Sequence, residues 1–138
     1  MKVEVLTLCD AATVDAAGKL NILGAFDRLN ATAEPITHPH CALAVKLRFE
    51  RIEAGHKKIR LTFVNADGAP VMPAIDGTAD VRFQGPESSA AVSFALNIQQ
   101  LKLPGLGEYS IDLAVDGRHE GSVPLFVFPT QPPQPSAT

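Results

Sequence analysis

The chain has 138 residues, 46% hydrophobic, 20% charged and 6% aromatic, with no tryptophan and a formal charge of -3. That length suits one domain and lets about two-thirds of the unfolded surface be buried, so neither disulfide nor metal is needed as a staple. Composition excludes a disordered chain, a coiled coil and a collagen-like fibre, and selects no chemistry.

Met1 to Cys9 begins with Lys2 and apolar residues, but Glu4 interrupts the run. It is shorter than the roughly 7–15 residue apolar region of a secretory signal. No stretch reaches the roughly 18 apolar residues of a membrane span. The expected address is the cytoplasm, where Cys9 and Cys41 stay reduced and pack as small buried hydrophobes. Val3–Cys9 and Leu20–Leu29 read as strands with apolar residues on both faces, hence deeply buried. Between them, Ala11–Ala17 suits a helical turn with Asp10 as its N-cap.

From His40 to Glu50 the odd positions Cys41, Leu43, Val45, Leu47 and Phe49 are apolar, the mark of a strand with one buried face. Lys57–Val64 repeats it through Ile59, Leu61 and Phe63. The short link Glu53–His56 contains Gly55, so a hairpin is expected. Asn65–Gly68 and Asp76-Gly77 read as turns, and Thr78–Phe83 as a short strand with Val81 and Phe83 inward. Ala91–Ile98 alternates through Val92, Phe94, Leu96 and Ile98. Tyr109–Val115 does so again and stops at Asp116-Gly117, a pair suited to a tight turn. Arg118–Phe128 returns with Val123, Leu125 and Val127 on one face. Pro124 lacks a donor, which places it at an edge or a bulge. Residues 1–128 thus form one domain, and the polar, proline-rich 129–138 is expected to be a disordered tail.

About eight strands without helical periodicity predict an all-β protein, an antiparallel two-sheet sandwich of immunoglobulin-like type, with a barrel as the competing architecture. Tyr109, the single tyrosine, follows Pro104-Gly105, where a corner tyrosine bonds back to upstream backbone. Leu8-Cys9-Asp10, the stretch Gly18–Asp27 (GKLNILGAFD), His38-Pro39-His40 and Gly117–Glu120 with Val123-Pro124-Leu125 resemble a family of small uncharacterised bacterial proteins, a domain of unknown function. The resemblance covers nearly all of 1–128. It implies a bacterial cytosolic sandwich and supplies no catalytic residue.

His38, His40, Cys41 and His119 come nearest to a metal-ligand set, with Cys9, Asp10 and Asp27 as possible additions. Their spacing is poor: in an extended segment His38 and His40 share a face while Cys41 points to the other. No metal and no cofactor is therefore expected. Neither a nucleophile elbow nor a phosphate loop is present, so no catalytic residue is expected either. Lys46, Arg48, Lys58 and Arg60 share the outer face of the expected hairpin, with Glu50 the one acid. Arg48 opposite Arg60 is unfavourable without an anion nearby. Net negative charge and the lack of interleaved aromatics argue against nucleic acid, leaving a protein partner or a solvated, edge-protecting face. Phe126 and Phe128 face away from the core of the last strand and suggest a contact surface unless Val71–Ile75 covers them. The functional expectation is a non-catalytic interaction or structural module that self-associates, with neither nucleic acid nor membrane as partner. The alternative is a small-molecule or metal-binding sandwich using His38, His40, His119 and the nearby aspartates.

Overall fold

A computed structural model describes residues 1–130 and contains nine strands. These are β1 (Lys2–Val14), β2 (Leu20–Phe26), β3 (Arg28–Ala31), β4 (Ile36–Glu50), β5 (Gly55–Val64), β6 (Ile75–Val81), β7 (Ser89–Leu103), β8 (Gly107–Val115) and β9 (Arg118–Pro129). One sheet runs β2-β1-β4-β7, the other β3-β9-β8-β5-β6. The two pack face to face as a sandwich. Its core is the set of alternate residues that the sequence places inward: Leu43, Val45, Leu47 and Phe49 from β4, Ile59, Leu61 and Phe63 from β5, Ile111 and Leu113 from β8, and Leu125 and Val127 from β9. Burying each large apolar side chain contributes about 1.5–3 kcal/mol, so this interior dominates the stability.

Several local expectations change. The Leu20–Leu29 strand is two strands, because the chain leaves the first sheet at Asp27 and β3 pairs parallel with the end of β9. Nor is it deeply buried: β2 is an edge with Ile22 and Leu23 exposed. Ala11–Ala17 makes no helical turn. β1 continues to Val14, and Asp15 builds the turn instead, its Oδ1 accepting from the backbone N–H groups of Ala17 and Lys19 at 2.9 Å each. Asp10 therefore caps nothing. Asp76-Gly77 lies inside β6, whereas Asn65–Gly68 is a turn in which Asn65 Oδ1 accepts from Asp67 and Ala69. β4 and β5 form no hairpin: the short 3-10 turn Arg51–Glu53 carries the chain from one sheet to the other. Alternation fixes which face is buried, but it does not fix which neighbour a strand takes.

Two devices shape the first sheet. A bulge between Val3 and Val5 lets Val3, Leu6 and Leu8 all reach the core and projects Glu4 outward. Beyond Cys9, the far half of β1 and β2 curls over the sheet's outer face. There Leu20 and Ala12 bury Cys9, Ala42 and Ala44 and touch Ala95, forming a second small cluster. This is why β4 is buried on both faces at Cys41–Val45. The small residues Ala42, Ala44 and Ala95 let the curled arm approach. Gly24 provides the bend at φ +69°, and the Asp10 side chain occupies the space a Cβ there would need.

The second sheet has a tyrosine corner in the geometrical sense. The buried Tyr109 hydroxyl donates to Gly105 O at 2.6 Å and accepts from Gly105 N–H at 3.2 Å. Asp116 and Gly117 both take positive φ in the two-residue β8–β9 turn, as a tight hairpin requires. Pro124 sits in the part of β9 that β3 does not reach, so its missing donor leaves no ladder bond unmade on that side. Of the proline-rich segment, Pro129 ends β9 and the Thr130 N–H donates to Ala31 O at 3.0 Å. Residues 131–138 lie outside the described part of the chain.

Candidate functional site

The residues nearest to a ligand set do not meet. His38 packs half-buried against Phe26, ring centroids 5.8 Å apart, and its Nε2 is buried without a hydrogen-bond partner. His40 is exposed and Cys41 is wholly buried in the main core. His119 lies at the tip of the β8–β9 hairpin. That tip is the length of β8 away from the end where β4 begins opposite Leu103. Asp10 faces Gly24, while Asp27 joins β2 to β3. Among the described residues no three of His, Cys, Asp and Glu converge as a metal group. The thiols are likewise separated: Cys9 lies under the curled arm, its Sγ donating to Ala42 O at 3.5 Å, and Cys41 points into the opposite layer. Burial, reinforced by the neighbouring Cys9 and Asp10, pushes the Cys41 thiol up to about 11, so it is a neutral core residue at ordinary pH. Burial and then Asp10 raise Cys9 as well.

The basic face dissolves in the same way. Arg48 and Arg60 are on different sheets and cannot oppose each other. Arg48 Nε pairs with Glu4 Oε2 at 2.9 Å, Lys46 Nζ lies 3.6 Å from Glu4 Oε1, and Arg60 Nε pairs with Asp76 Oδ1 at 3.2 Å. The bulged Glu4 supplies the anion that the sequence pattern called for. The hydrogen bond from Arg48, with smaller help from Lys46, holds its carboxyl below the usual range.

Phe126 and Phe128 do share an outer face, stacked with centroids 6.0 Å apart and 4° between planes. The Arg28 guanidinium covers Phe128 at 4.6 Å, and Phe128 remains 38% exposed. They do not mark a free edge, since β3 pairs with β9 from Phe126 to Pro129. Val71, Met72 and Ile75 pack on the central core.

Sequence reasoning missed two arrangements. On the outer face of the second sheet, Asp112 Oδ1 accepts from Ser110 Oγ at 2.7 Å and Ser122 Oγ at 2.6 Å, and His119 Nε2 lies 3.3 Å from Ser122 Oγ. These are the residue types of a hydrolytic triad in a different connectivity. The carboxylate accepts a hydrogen bond from each serine instead of orienting the histidine as base. The second arrangement is apolar. Where the edge strands β6 and β7 flank the open side of the sandwich, Ile59, Leu61, Ile75 and Ala79 face Val92, Phe94 and Leu96 across a groove of about 350 Å³. Val92, Phe94 and Leu96 are only half-buried there, although they continue the inward row of β7. A visible signal was present: the chain carries neither charge nor proline from Ser88 to Leu101.

Together the fold and these surfaces define an all-β, two-sheet sandwich with paired surface charges and one apolar open side. The chain belongs to a family of unknown function, DUF6941, whose model matches residues 4–128. No curated protein matches. Among solved structures, a β-glucuronidase from glycoside hydrolase family 2 is similar at 18% identity, over 68% of this chain and 10% of that one, with a TM-score of 0.37. This chain thus spans about a tenth of that protein, and so loose a superposition carries no argument about activity. No helix among the described residues is long and apolar enough to cross a membrane.

Proposed function

We propose that the chain is a non-catalytic contact module that takes an extended protein segment along its open side, between β6 and β7. The observation that carries this reading is the coincidence, at one place, of a half-buried apolar row and an unpaired strand edge. Val92, Phe94 and Leu96 line the groove, and among the described residues β7 pairs only with β4. An added strand would satisfy the free backbone groups of β7 and bury alternate side chains in the groove, the mode called β-augmentation. The chemistry elsewhere supports it. Both thiols are buried, Glu4 is engaged in ion pairs, and in the Asp112 cluster the two serine hydroxyls donate to the carboxylate and not to a histidine base. The unpaired cysteines fit a reducing compartment, consistent with a bacterial cytoplasmic setting.

The test uses an alternating valine–threonine decapeptide as a generic strand, titrated in large excess into the full chain, so that it outcompetes any other occupant of the groove, while backbone amide resonances are recorded. The reading expects shifts concentrated in β6 and β7 and lost in Phe94→Ser. Shifts confined to the Phe126/Phe128 face or to the Asp112 cluster would overturn it.

A further inference from the structure

Resting on that reading, we infer that the occupant of the open side is a second copy of this chain, its β7 paired antiparallel with the first about a two-fold axis normal to the sheet. The strongest ground is a contrast among the four sheet edges. Soluble proteins blunt exposed edges by shortness, charge, proline or bulges, because unpaired backbone groups template association. Here β3 has four residues, β6 carries Asp76 and Asp80, and β2, though uncharged, has seven residues and bends at the left-handed Gly24. β7 alone is long, at 15 residues, and from Ser89 to Leu101 it has no charge and no proline, its one left-handed residue being Gln100 near the C-terminal end. Among these edges β7 offers the longest uncharged run.

Register and charge select a copy of the same strand as the partner. A two-fold axis normal to the sheet keeps inward residues opposite inward residues, because side chains alternate faces along each strand. Centring the pair on Phe94 sets Phe94 opposite its own copy, Val92 opposite Leu96, and Ala90 opposite Ile98. Every inward residue from Ala90 to Ile98 then meets an apolar one. A shift by two positions in the C-terminal direction sets Ala90 against Gln100 instead. The outward row pairs Ala91 with Asn97 and Ser93 with Ala95, all small or neutral. The flanks agree: the exposed Glu87 before the strand comes within one position of the exposed Lys102 of the second copy, and the reverse contact follows by symmetry. A parallel arrangement would set acid beside acid. The pairing would join two four-stranded sheets into one continuous sheet of eight, with both apolar grooves adjoining the seam.

Sedimentation equilibrium of the full chain across micromolar concentrations tests this, with two variants altered only at exposed positions: Ala91→Lys/Asn97→Lys and Ala91→Glu/Asn97→Glu. Lysine opposite lysine, or glutamate opposite glutamate, repels across the seam. Wild type should be a dimer. Each variant alone should be monomeric with an unchanged circular dichroism spectrum, and their equimolar mixture should restore a dimer at least about tenfold tighter than either forms alone. A monomeric wild type overturns the second-copy inference. A dimer untouched by both variants, or variants that do not recombine, also overturns it. The contact-module reading fails separately, if the decapeptide leaves β6 and β7 unperturbed in the monomeric Lys variant.

Discussion

Gly24→Ala should open the curled β1–β2 arm. At φ +69° an alanine pays about 1–2 kcal/mol for the left-handed conformation. Its Cβ would also stand 2.3 Å from Asp10 Oδ2 and 2.8 Å from Asp10 Cγ, distances no real contact sustains. Asp10 is exposed, so it can swing aside at about 0.5–1.5 kcal/mol of rotamer cost. The expected loss is about 2–3 kcal/mol in urea unfolding with an unchanged slope, or about 5–12 °C in midpoint temperature. Asp10→Ala should return the collision share, giving a favourable coupling of about 0.5–1.5 kcal/mol in a double-mutant cycle. Because the arm shelters Cys9 while Cys41 lies in the other layer, a thiol reagent should label Cys9 before Cys41 in the variant. A Gly24→Ala protein within about 0.5 kcal/mol of wild type, or a cycle without coupling, would refute the assignment of Gly24 as the bend.

Other consequences can be measured on the same material. Tyr109→Phe removes a hydroxyl that both donates to and accepts from Gly105, and should cost about 1–2 kcal/mol in denaturant unfolding without altering the slope. Glu4 is held below its usual pKa by Arg48, so its contribution is present above the ordinary carboxylate range and lost as pH falls through the lowered folded-state value. Glu4→Gln should therefore be less stable than wild type at neutral pH and converge with it in acid; parallel profiles would contradict this. In native wild type neither thiol should react at pH 8, since both are buried and raised, and labelling should follow global unfolding. Arg28→Ala exposes Phe128 without breaking the β3–β9 pairing, so a shift in oligomeric state on that substitution would place the contact on the Phe face instead of β7.

The two-layer architecture was legible because alternation is a local property. Cys41 to Phe49, Ile59 to Phe63 and Tyr109 to Val115 declare their buried faces residue by residue, and the structure buries those faces. Pairing partners were less legible, because they depend on where the chain crosses between sheets. Nothing in Arg51–Glu53 announces that it bridges the layers instead of turning a hairpin, and with that step the supposed Arg48–Arg60 opposition disappears. Likewise Leu20–Leu29 reads as one strand, and only the change of sheet at Asp27 divides it. His38 and His40 came nearest to a site because they are close in sequence, yet Pro39 separates a half-buried ring at His38 from an exposed one at His40, and the distant His119 sits at a hairpin tip. The open side was legible in principle. A charge-free stretch beside an alternating strand signals an unprotected edge, but it means little until the topology makes β7 the last strand of its sheet.

Amide hydrogen exchange, compared between dilute and concentrated solutions of the unmodified chain, bears most directly on the claim that the open side is where this protein makes contact. At low concentration the β7 amides between Ala90 and Ile98 that point away from β4 should exchange freely. At high concentration their protection should rise by about tenfold or more, while the edges of β2 and β3 stay unchanged. Protection that grows along β3 and the Phe126–Phe128 face, with β7 unaltered, would contradict the account.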